Sequence, residues 1–223
     1  MNKIINFNSI KEFSAYRKSK ANKELASGCE GTCYLGTDGF VYKDLSSGLR
    51  TEDYILDSII TSSDIENKSF AFPHVLFAVG DRLIGYTTDF VKKDYLNYNY
   101  LLDTGLDEID FDKLIEAYDI MLDDTIKLTE DGISIYDLSF NLMFDGERLI
   151  GVDTCSYYMS PSIECVKNVE SLDDAVKNIF DFYIQAVYNE KLDTEMDVVP
   201  FLRYVQNNYT NQGTNKNTTI IKK

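Results

Sequence analysis

The stretch ISIYDLSFNLMF at residues 133–144, followed by LIGVD at residues 149–153, decides how we interpret this chain. Two short apolar runs joined by a turn predict a β-hairpin. Asp137 and Asn141 lie in the loop before that hairpin, and Asp153 directly follows its return strand. Each alone is typical of a turn, a cap or a strand end. Together they are oxygen ligands that suit Mg²⁺, with one carboxylate remaining to orient a hydroxyl for attack.

A glycine-containing segment precedes this hairpin in the chain. SGCEGT, residues 27–32, lies between two segments that are predicted to be extended. Gly28 and Gly31 lack a Cβ, so their backbone is able to approach a ligand whose phosphates would otherwise clash with a side chain. On its own, this pattern is weak evidence for a phosphate-binding loop.

A strand lysine follows twelve residues after Gly31. Lys43 ends the apolar strand FVYK, residues 40–43, and alternation with Val41 directs its ammonium to the same sheet face as that residue. A charge on such a face needs a partner. The alternative is a lysine at a strand edge with its ammonium in solvent.

Acidic residues on the next predicted helix are candidate partners for Lys43. These are Glu52, Asp53 and Asp57, within an amphipathic pattern that covers residues 51–61. We favour Glu52.

Hydrophobic periodicity predicts the remaining elements. A basic helical stretch covers residues 6–25, and the second half of the chain is mainly helical. We therefore expect an α+β fold with a helical extension at 1–25, a sheet-containing unit at 26–90, a helical unit at 91–210 and a disordered tail at 211–223. Specific predictions are hairpins at 33–35 with 40–42 and 73–79 with 82–88, and helices at 111–128 and 172–188.

Composition limits the function classes. The chain has 223 residues, with 37 acidic and 22 basic side chains and a formal charge of −15. A surface with this negative charge repels nucleic acids and anionic lipids. We therefore expect neither as a partner. No apolar run approaches the length of a membrane span or a secretory signal, which predicts a cytoplasmic protein. The four cysteines match no zinc-binding spacing and are expected to be thiols.

The order of these motifs resembles the protein-kinase-like fold, in the compact bacterial form related to protein kinases and to aminoglycoside and choline phosphotransferases. Gly28 and Gly31 are similar to the last two glycines of the glycine-rich loop, with Ala26 at the place of the first. The segment that ends in Lys43 resembles the strand with the phosphate-binding lysine, and Glu52 is the candidate for its helix glutamate. The resemblance implies two lobes, an antiparallel sheet in the first and helices in the reduced second.

The same resemblance assigns roles in the rest of the site. TDFV, residues 88–91, looks like the hinge, where Asp89 and Val91 would offer backbone groups to adenine and Thr88 would guard the back pocket. Asp137 matches the catalytic base. Asn141 and Asp153 match the Mg²⁺ ligands of the family. ATP and Mg²⁺ are the implied cofactors.

The chain departs from the family pattern in the catalytic loop. Asn141 comes four positions after Asp137, where the family usually has five. Ser139 stands where protein kinases usually have a lysine, and Thr154 and Cys155 replace Phe-Gly. Two functions follow from this pattern: a phosphotransferase that acts on the hydroxyl of an unknown acceptor, or a pseudokinase that binds a nucleotide or a protein without catalysis. An acidic interaction protein with a chance resemblance is a third. The acidic surface favours a cationic acceptor or a basic protein.

Overall fold

A computed structural model of the chain describes residues 3–28, 31–50, 65–160 and 167–210, with the side chains of residues 3, 46–50 and 156 outside that description. The candidate acids Glu52, Asp53 and Asp57, the helix predicted at 51–61 and the tail 211–223 lie outside the described residues.

A six-stranded sheet forms the first part of the fold. Its order is β1-β5-β6-β4-β3-β2, and β1 pairs in parallel with β5 while every other pair is antiparallel. The sheet is therefore mixed. The pairs among β3, β4, β5 and β6 are antiparallel, as predicted for residues 26–90, and the parallel strand β1 comes from the 1–25 extension that was predicted to be helical. The strands are β1 Lys3–Asn6, β2 Ala21–Ser27, β3 Gly31–Gly36, β4 Val41–Arg50, β5 Val75–Val79 and β6 Arg82–Thr88.

Both hairpins predicted in this region are confirmed. β3 and β4 join through a turn in which Gly39 has a φ of +88°. β5 and β6 join at Gly80, where φ is +61°. Glycine adopts such values without the steric cost that other residues incur, which explains why the turn signals were legible in the sequence.

The N-terminal helix α1, Ile10–Lys20, is shorter than the helical stretch predicted for residues 6–25. Ser9 caps its first turn by accepting a hydrogen bond from the Glu12 amide at 3.2 Å. The helix ends where Ala21 becomes extended, because β2 gains ladder hydrogen bonds by pairing with β3. Cross-strand pairing of this kind overrides a local helical pattern.

Four helices make up most of the second part of the described fold. They are α2 Tyr98–Thr104, α3 Phe111–Glu130, α4 Lys167–Tyr188 and α5 Val198–Tyr209. The predicted helices at 111–128 and 172–188 are confirmed as α3 and α4. Their apolar faces meet in one core that includes the fully buried Leu114, Met121, Phe180 and Phe201. No helix within the described ranges has the length and apolar character that crossing a membrane requires.

In the described part of the chain, four short strands lie between α3 and α4, and two of them form the predicted hairpin. β7, Ile133–Ser134, pairs with β10, Tyr158–Met159, and the hairpin itself consists of β8, Leu142–Phe144, and β9, Leu149–Gly151. The predicted hairpin is thus confirmed.

The segment before β5 connects this hairpin to the sheet. The Gly151 amide donates to the Ser69 carbonyl at 2.7 Å, and the Ala71 amide donates to the Gly151 carbonyl at 2.9 Å. These bonds fix the end of β9 against the chain that enters the sheet. The mixed α+β fold therefore brings the loop after β9 close to the strand that carries Lys43.

Candidate functional site

A cavity of about 370 Å³ lies between the sheet and the β8–β9 hairpin. Six of the residues that the sequence analysis assigned to the site line it: Lys43, Thr88, Asp89, Val91, Asn141 and Asp153. Apolar side chains supply much of the remaining wall, among them Leu25, Val41, Phe90, Met143 and Val152. Ligand pockets typically have this size and this mixture of an apolar wall with a few convergent polar groups.

Lys43 forms an ion pair with Asp153 inside the cavity. Lys43 is only 6% exposed, and it lines the cavity together with Val41, as alternation along β4 predicts. The carboxylate that the structure describes beside Lys43 is therefore Asp153, which lies 110 residues further along the chain.

Tyr86 contributes a second donor to the same carboxylate. It lies opposite Lys43 in the β4–β6 register, and its hydroxyl donates to Asp153 Oδ1 at 2.9 Å. Burial raises the pKa of Tyr86 well above its ordinary value, so the phenol stays protonated and remains a donor. Asp153 Oδ1 thus accepts from an ammonium and a phenol that are both held by the sheet.

The hairpin brings Asn141 and Asp153 together. Asn141 precedes β8 and Val152 follows β9, and the Val152 amide donates to the Asn141 carbonyl at 2.8 Å. The Asn141 side-chain amide nitrogen donates to the Asp137 carbonyl at 2.9 Å. One antiparallel pair of strands therefore positions all three polar residues of the predicted loop.

Asp137 and Asp153 both have left-handed backbone conformations, with φ of 55° and 59°. Residues other than glycine rarely adopt this region, because it costs conformational free energy. Such a conformation persists where contacts with the surrounding structure hold the backbone in it. At both positions a 3₁₀ turn follows at once, Leu138–Phe140 and Thr154–Ser156. Asp137 is exposed and is not among the residues that line the cavity.

Asn168, near the start of α4, supports the chain that leads to Asp137. This buried side chain accepts from the Ile135 amide at 2.8 Å and donates to the Ile133 carbonyl at 2.7 Å. It also donates to the Thr129 hydroxyl at 3.0 Å, which connects the end of α3. The sequence analysis did not identify Asn168, because an asparagine near the start of a predicted helix is typical of an ordinary cap.

The residues predicted to be a hinge, 88–91, all line the cavity. Thr88 is buried, and its hydroxyl donates to the Ala71 carbonyl at 2.8 Å. The Asp89 carboxylate lies 2.9 Å from His74 Nε2. This hydrogen bond is the main cause that lowers the pKa of Asp89 and raises that of His74. The Asp89 side chain is thus engaged by His74, while its backbone belongs to the segment that borders the cavity.

The predicted phosphate-loop glycines do not line the cavity. The Gly28 amide donates to the Gly31 carbonyl at 2.9 Å, which closes the connection between β2 and β3. A Cβ on Gly31 would lie 2.0 Å from the Asp44 carbonyl oxygen, whereas a Cβ on Gly28 would meet nothing within 4 Å. Close packing of β3 on β4 therefore explains why residue 31 is glycine.

The oxygen atoms of Asn141 and Asp153 fit a magnesium ion, which also takes ligands from water and substrate, better than a metal ion whose ligands all come from the protein. Among the described residues, no group of three or more His, Cys, Asp or Glu side chains could hold a metal. Because the Asn141 amide nitrogen is committed to Asp137, its amide oxygen is the atom that suits a cation. One amide oxygen and the Asp153 carboxylate match Mg²⁺, which completes its coordination with water and substrate phosphates.

Tyr86 and Met143 are cavity residues that the sequence analysis missed. Tyr86 lies two residues before Thr88 on β6, so strand alternation places both on one face and could have revealed it. Met143 lies on β8, and its place in the cavity wall could be predicted only if the packing of the hairpin against the cavity were already known.

No protein-family model matches the chain, and no curated protein matches it either.

Proposed function

We propose that this chain is an ATP- and Mg²⁺-dependent phosphotransferase that transfers the γ-phosphoryl group to the hydroxyl of an acceptor. One observation carries this proposal: a single cavity is lined by Lys43, the hinge segment, Asn141 and Asp153, with Lys43 paired to Asp153. A buried ammonium beside a carboxylate and an amide oxygen is the combination that phosphates and Mg²⁺ require.

We further propose that the fold is a two-lobed, protein-kinase-like arrangement. The mixed sheet with α1 corresponds to the first lobe, and α2 to α5 with the β8–β9 hairpin correspond to the second. Supporting this proposal, the cavity takes part of its wall from the sheet and part from the hairpin. ATP as a substrate agrees with the cytoplasmic location that the sequence predicts.

Each polar residue has a distinct role in this proposal. The Lys43 ammonium binds the α- and β-phosphates, and backbone groups of Asp89 and Val91 bind adenine. Asn141 and Asp153 hold Mg²⁺, which neutralises charge on the phosphates. Asp137 orients the acceptor hydroxyl and takes its proton.

Release of ADP tests the catalytic part of the proposal. We expect slow ATP hydrolysis by the wild type in the presence of MgCl₂, with water as the acceptor, and a loss of at least about tenfold in Asp137→Asn. Asp153→Asn should lose both turnover and ATP binding, whereas Asp137→Asn should keep binding. Asp119→Asn, which removes an exposed carboxylate on α3, is the matched control and should behave as wild type.

Nucleotide binding without catalysis is the second candidate. The position of Asp137 outside the cavity lining and Ser139 in place of a lysine favour it. ATP binding that depends on Asp153, with no ADP release above the Asp137→Asn background, would support this alternative over the phosphotransferase.

A further inference from the structure

A second and larger concavity of about 730 Å³ lies beside the cavity. It is bordered by the start of α2, by the second half of α4 and by the turn that follows Asp137. We call it the α2–α4 groove and define it by Asp94, Tyr98, Phe140, Met143 and Phe182.

Exposed aromatic side chains distinguish this groove. Phe140 is 82% exposed, Phe182 58% and Tyr98 46%. Single exposed apolar residues are common on proteins, but several large rings around one concavity mark a binding surface. Because Phe140 is exposed, its ring contributes little buried apolar surface to the stability of the fold. Its neighbours Leu138 and Leu142 pack this loop against the core instead.

The groove lies beside the proposed transfer site. Ser139 and Phe140 belong to the turn Leu138–Phe140, which begins at the residue after Asp137. The Cα of Ser139 therefore lies within about 7 Å of that of Asp137. Met143 lines both the groove and the cavity, so the two spaces share a wall.

We propose that the α2–α4 groove binds the acceptor, and that the acceptor is a small alcohol with an apolar or aromatic body and no negative charge. This inference rests on the proposed phosphotransferase function. The acceptor oxygen forms a bond to the γ-phosphorus of ATP as the bond between that phosphorus and the β,γ-bridging oxygen breaks. ADP leaves, and the hydroxyl proton passes to Asp137.

Charge and size determine this choice of acceptor. Asp94 is the one carboxylate among the described residues of the lining, and none of those residues is Lys, Arg or His. Asp137 directly precedes the turn that borders the groove, and the whole chain carries a charge of −15. An anionic acceptor would enter against all of these charges. The volume lies within the range of about 300–1,000 Å³ that is typical of sites for small molecules.

Binding of three small alcohols in the absence of nucleotide tests the inference. The probes are 2-amino-1-phenylethanol, 3-phenyllactate and ethanolamine, each titrated in ligand-observed NMR. The first carries a ring and a positive charge, the second a ring and a negative charge, and the third a positive charge without a ring. We expect 2-amino-1-phenylethanol to bind at least fivefold more tightly than either of the others.

Two variants locate that binding in the groove. Phe140→Ser and Phe182→Ser remove exposed rings, so both variants should fold, and each should weaken binding of 2-amino-1-phenylethanol at least fivefold. Ile126→Ser on α3 removes a side chain that is 41% exposed outside the groove and should bind as wild type.

Equal binding by wild type and both Phe variants, equal affinity for 3-phenyllactate, or no binding of any probe would each overturn the inference. The last result would favour a protein as the partner of this surface. Because no nucleotide is present, failure here is separable from failure of the proposed function, which would appear as the absence of ATP binding.

Discussion

The ammonium of Lys43 and the carboxylate of Asp153 meet although 110 residues separate them. Lys43 has a side chain only 8% exposed, and Asp153 is 25% exposed. A charge at such a depth is stable only with opposite charge and hydrogen bonds around it, which Asp153 and Tyr86 contribute. The same pair offers the groups that a phosphate and a magnesium ion would bind.

A double-mutant cycle measures this pair. We expect Lys43→Met and Asp153→Asn to be coupled by about 1–3 kcal/mol in the free energy of unfolding, because each partner compensates the desolvation of the other. The control cycle uses Arg203→Met and Asp112→Asn, a pair with exposed side chains, where the coupling should stay below about 1 kcal/mol. Urea unfolding gives all of these values, and additive effects at Lys43 and Asp153 would contradict the account.

Glycines 28 and 31 differ in what surrounds them, so their substitution by alanine should have different effects. Gly31→Ala places a Cβ against the Asp44 carbonyl oxygen and should lower the free energy of unfolding by about 1–3 kcal/mol. Gly28→Ala meets no atom within 4 Å and should stay within about 0.5 kcal/mol of wild type. Equal losses in urea unfolding would show that packing on β4 is not the reason for Gly31.

His74 makes stability depend on pH near neutrality. The pKa of His74 is raised above 6.5, chiefly by its hydrogen bond with Asp89, so its contribution is full below about pH 6.5 and is lost as pH rises through the folded value. The pKa of Asp89 is lowered, so its share is lost only in acid. Both groups are about half exposed, which limits the effect to under about 1 kcal/mol.

His74→Gln tests this dependence, because the chain has one histidine. Wild type should exceed His74→Gln in the free energy of unfolding near about pH 6, and the difference should decrease as pH rises through the folded pKa of His74. A difference that is constant across this range would exclude the His74–Asp89 pair as its source.

Helix α1 covers the sheet on the face opposite the cavity. Phe13 packs edge-on against Phe7 and tilted against Phe77, with ring centroids 5.5 and 5.3 Å apart. Arg17 lies one turn further, where its Nε donates to Asp44 Oδ2 at 3.0 Å. Asp44 follows Lys43 on β4, so their side chains lie on opposite faces of that strand. Helix α1 contacts the face of Asp44, and the cavity lies on the face of Lys43.

Truncation on the two faces of α1 separates packing from helix propensity. Phe13→Ala should lower the free energy of unfolding by about 3–5 kcal/mol, because Phe13 is 2% exposed. Ile10→Ala on the same helix changes a side chain that is 62% exposed and should cost under about 0.5 kcal/mol. Similar midpoints in urea for both variants would mean that α1 does not pack on the sheet as described.

Local patterns in the sequence predicted the elements whose signals are local. Turn glycines marked the β3–β4 and β5–β6 hairpins, and the 3.6-residue period marked α3 and α4. Strand β1 carries no such signal, because Lys3–Asn6 gains its partner from β5, about seventy residues later. The end of α1 depends in the same way on pairing between β2 and β3.

The candidate site was predictable where chain order carries information. Lys43 lies on a legible strand, and Asn141 and Asp153 precede and follow a legible hairpin. The structure brings all three to one cavity. Strand alternation with Thr88 places Tyr86 on the cavity face of β6, but its hydrogen bond to Asp153 joins segments that are far apart in the chain. The contacts of Asn168 also join distant segments, and no spacing in the sequence reveals them. The sequence singled out Gly31 as a glycine with a structural role, but its close packing against the Asp44 carbonyl group on β4 could not be predicted from the sequence.

Across the whole molecule, the sheet and the helical part meet at the cavity and at the segment before β5. Strands from one part and the β8–β9 hairpin from the other supply the polar groups, so a ligand in the cavity would contact both parts. A ligand that binds only the folded state raises the unfolding temperature in proportion to its occupancy.

Thermal unfolding with ATP, with and without MgCl₂, tests the central claim most directly. At about 100 times the dissociation constant, the wild-type midpoint should rise by roughly 5–10 °C when MgCl₂ is present. Asp153→Asn should lose this rise, and Asp119→Asn, with its exposed carboxylate removed, should keep it. A wild-type midpoint that does not respond to ATP and MgCl₂, or an equal rise in Asp153→Asn, would contradict the assignment of this cavity as a nucleotide and magnesium site.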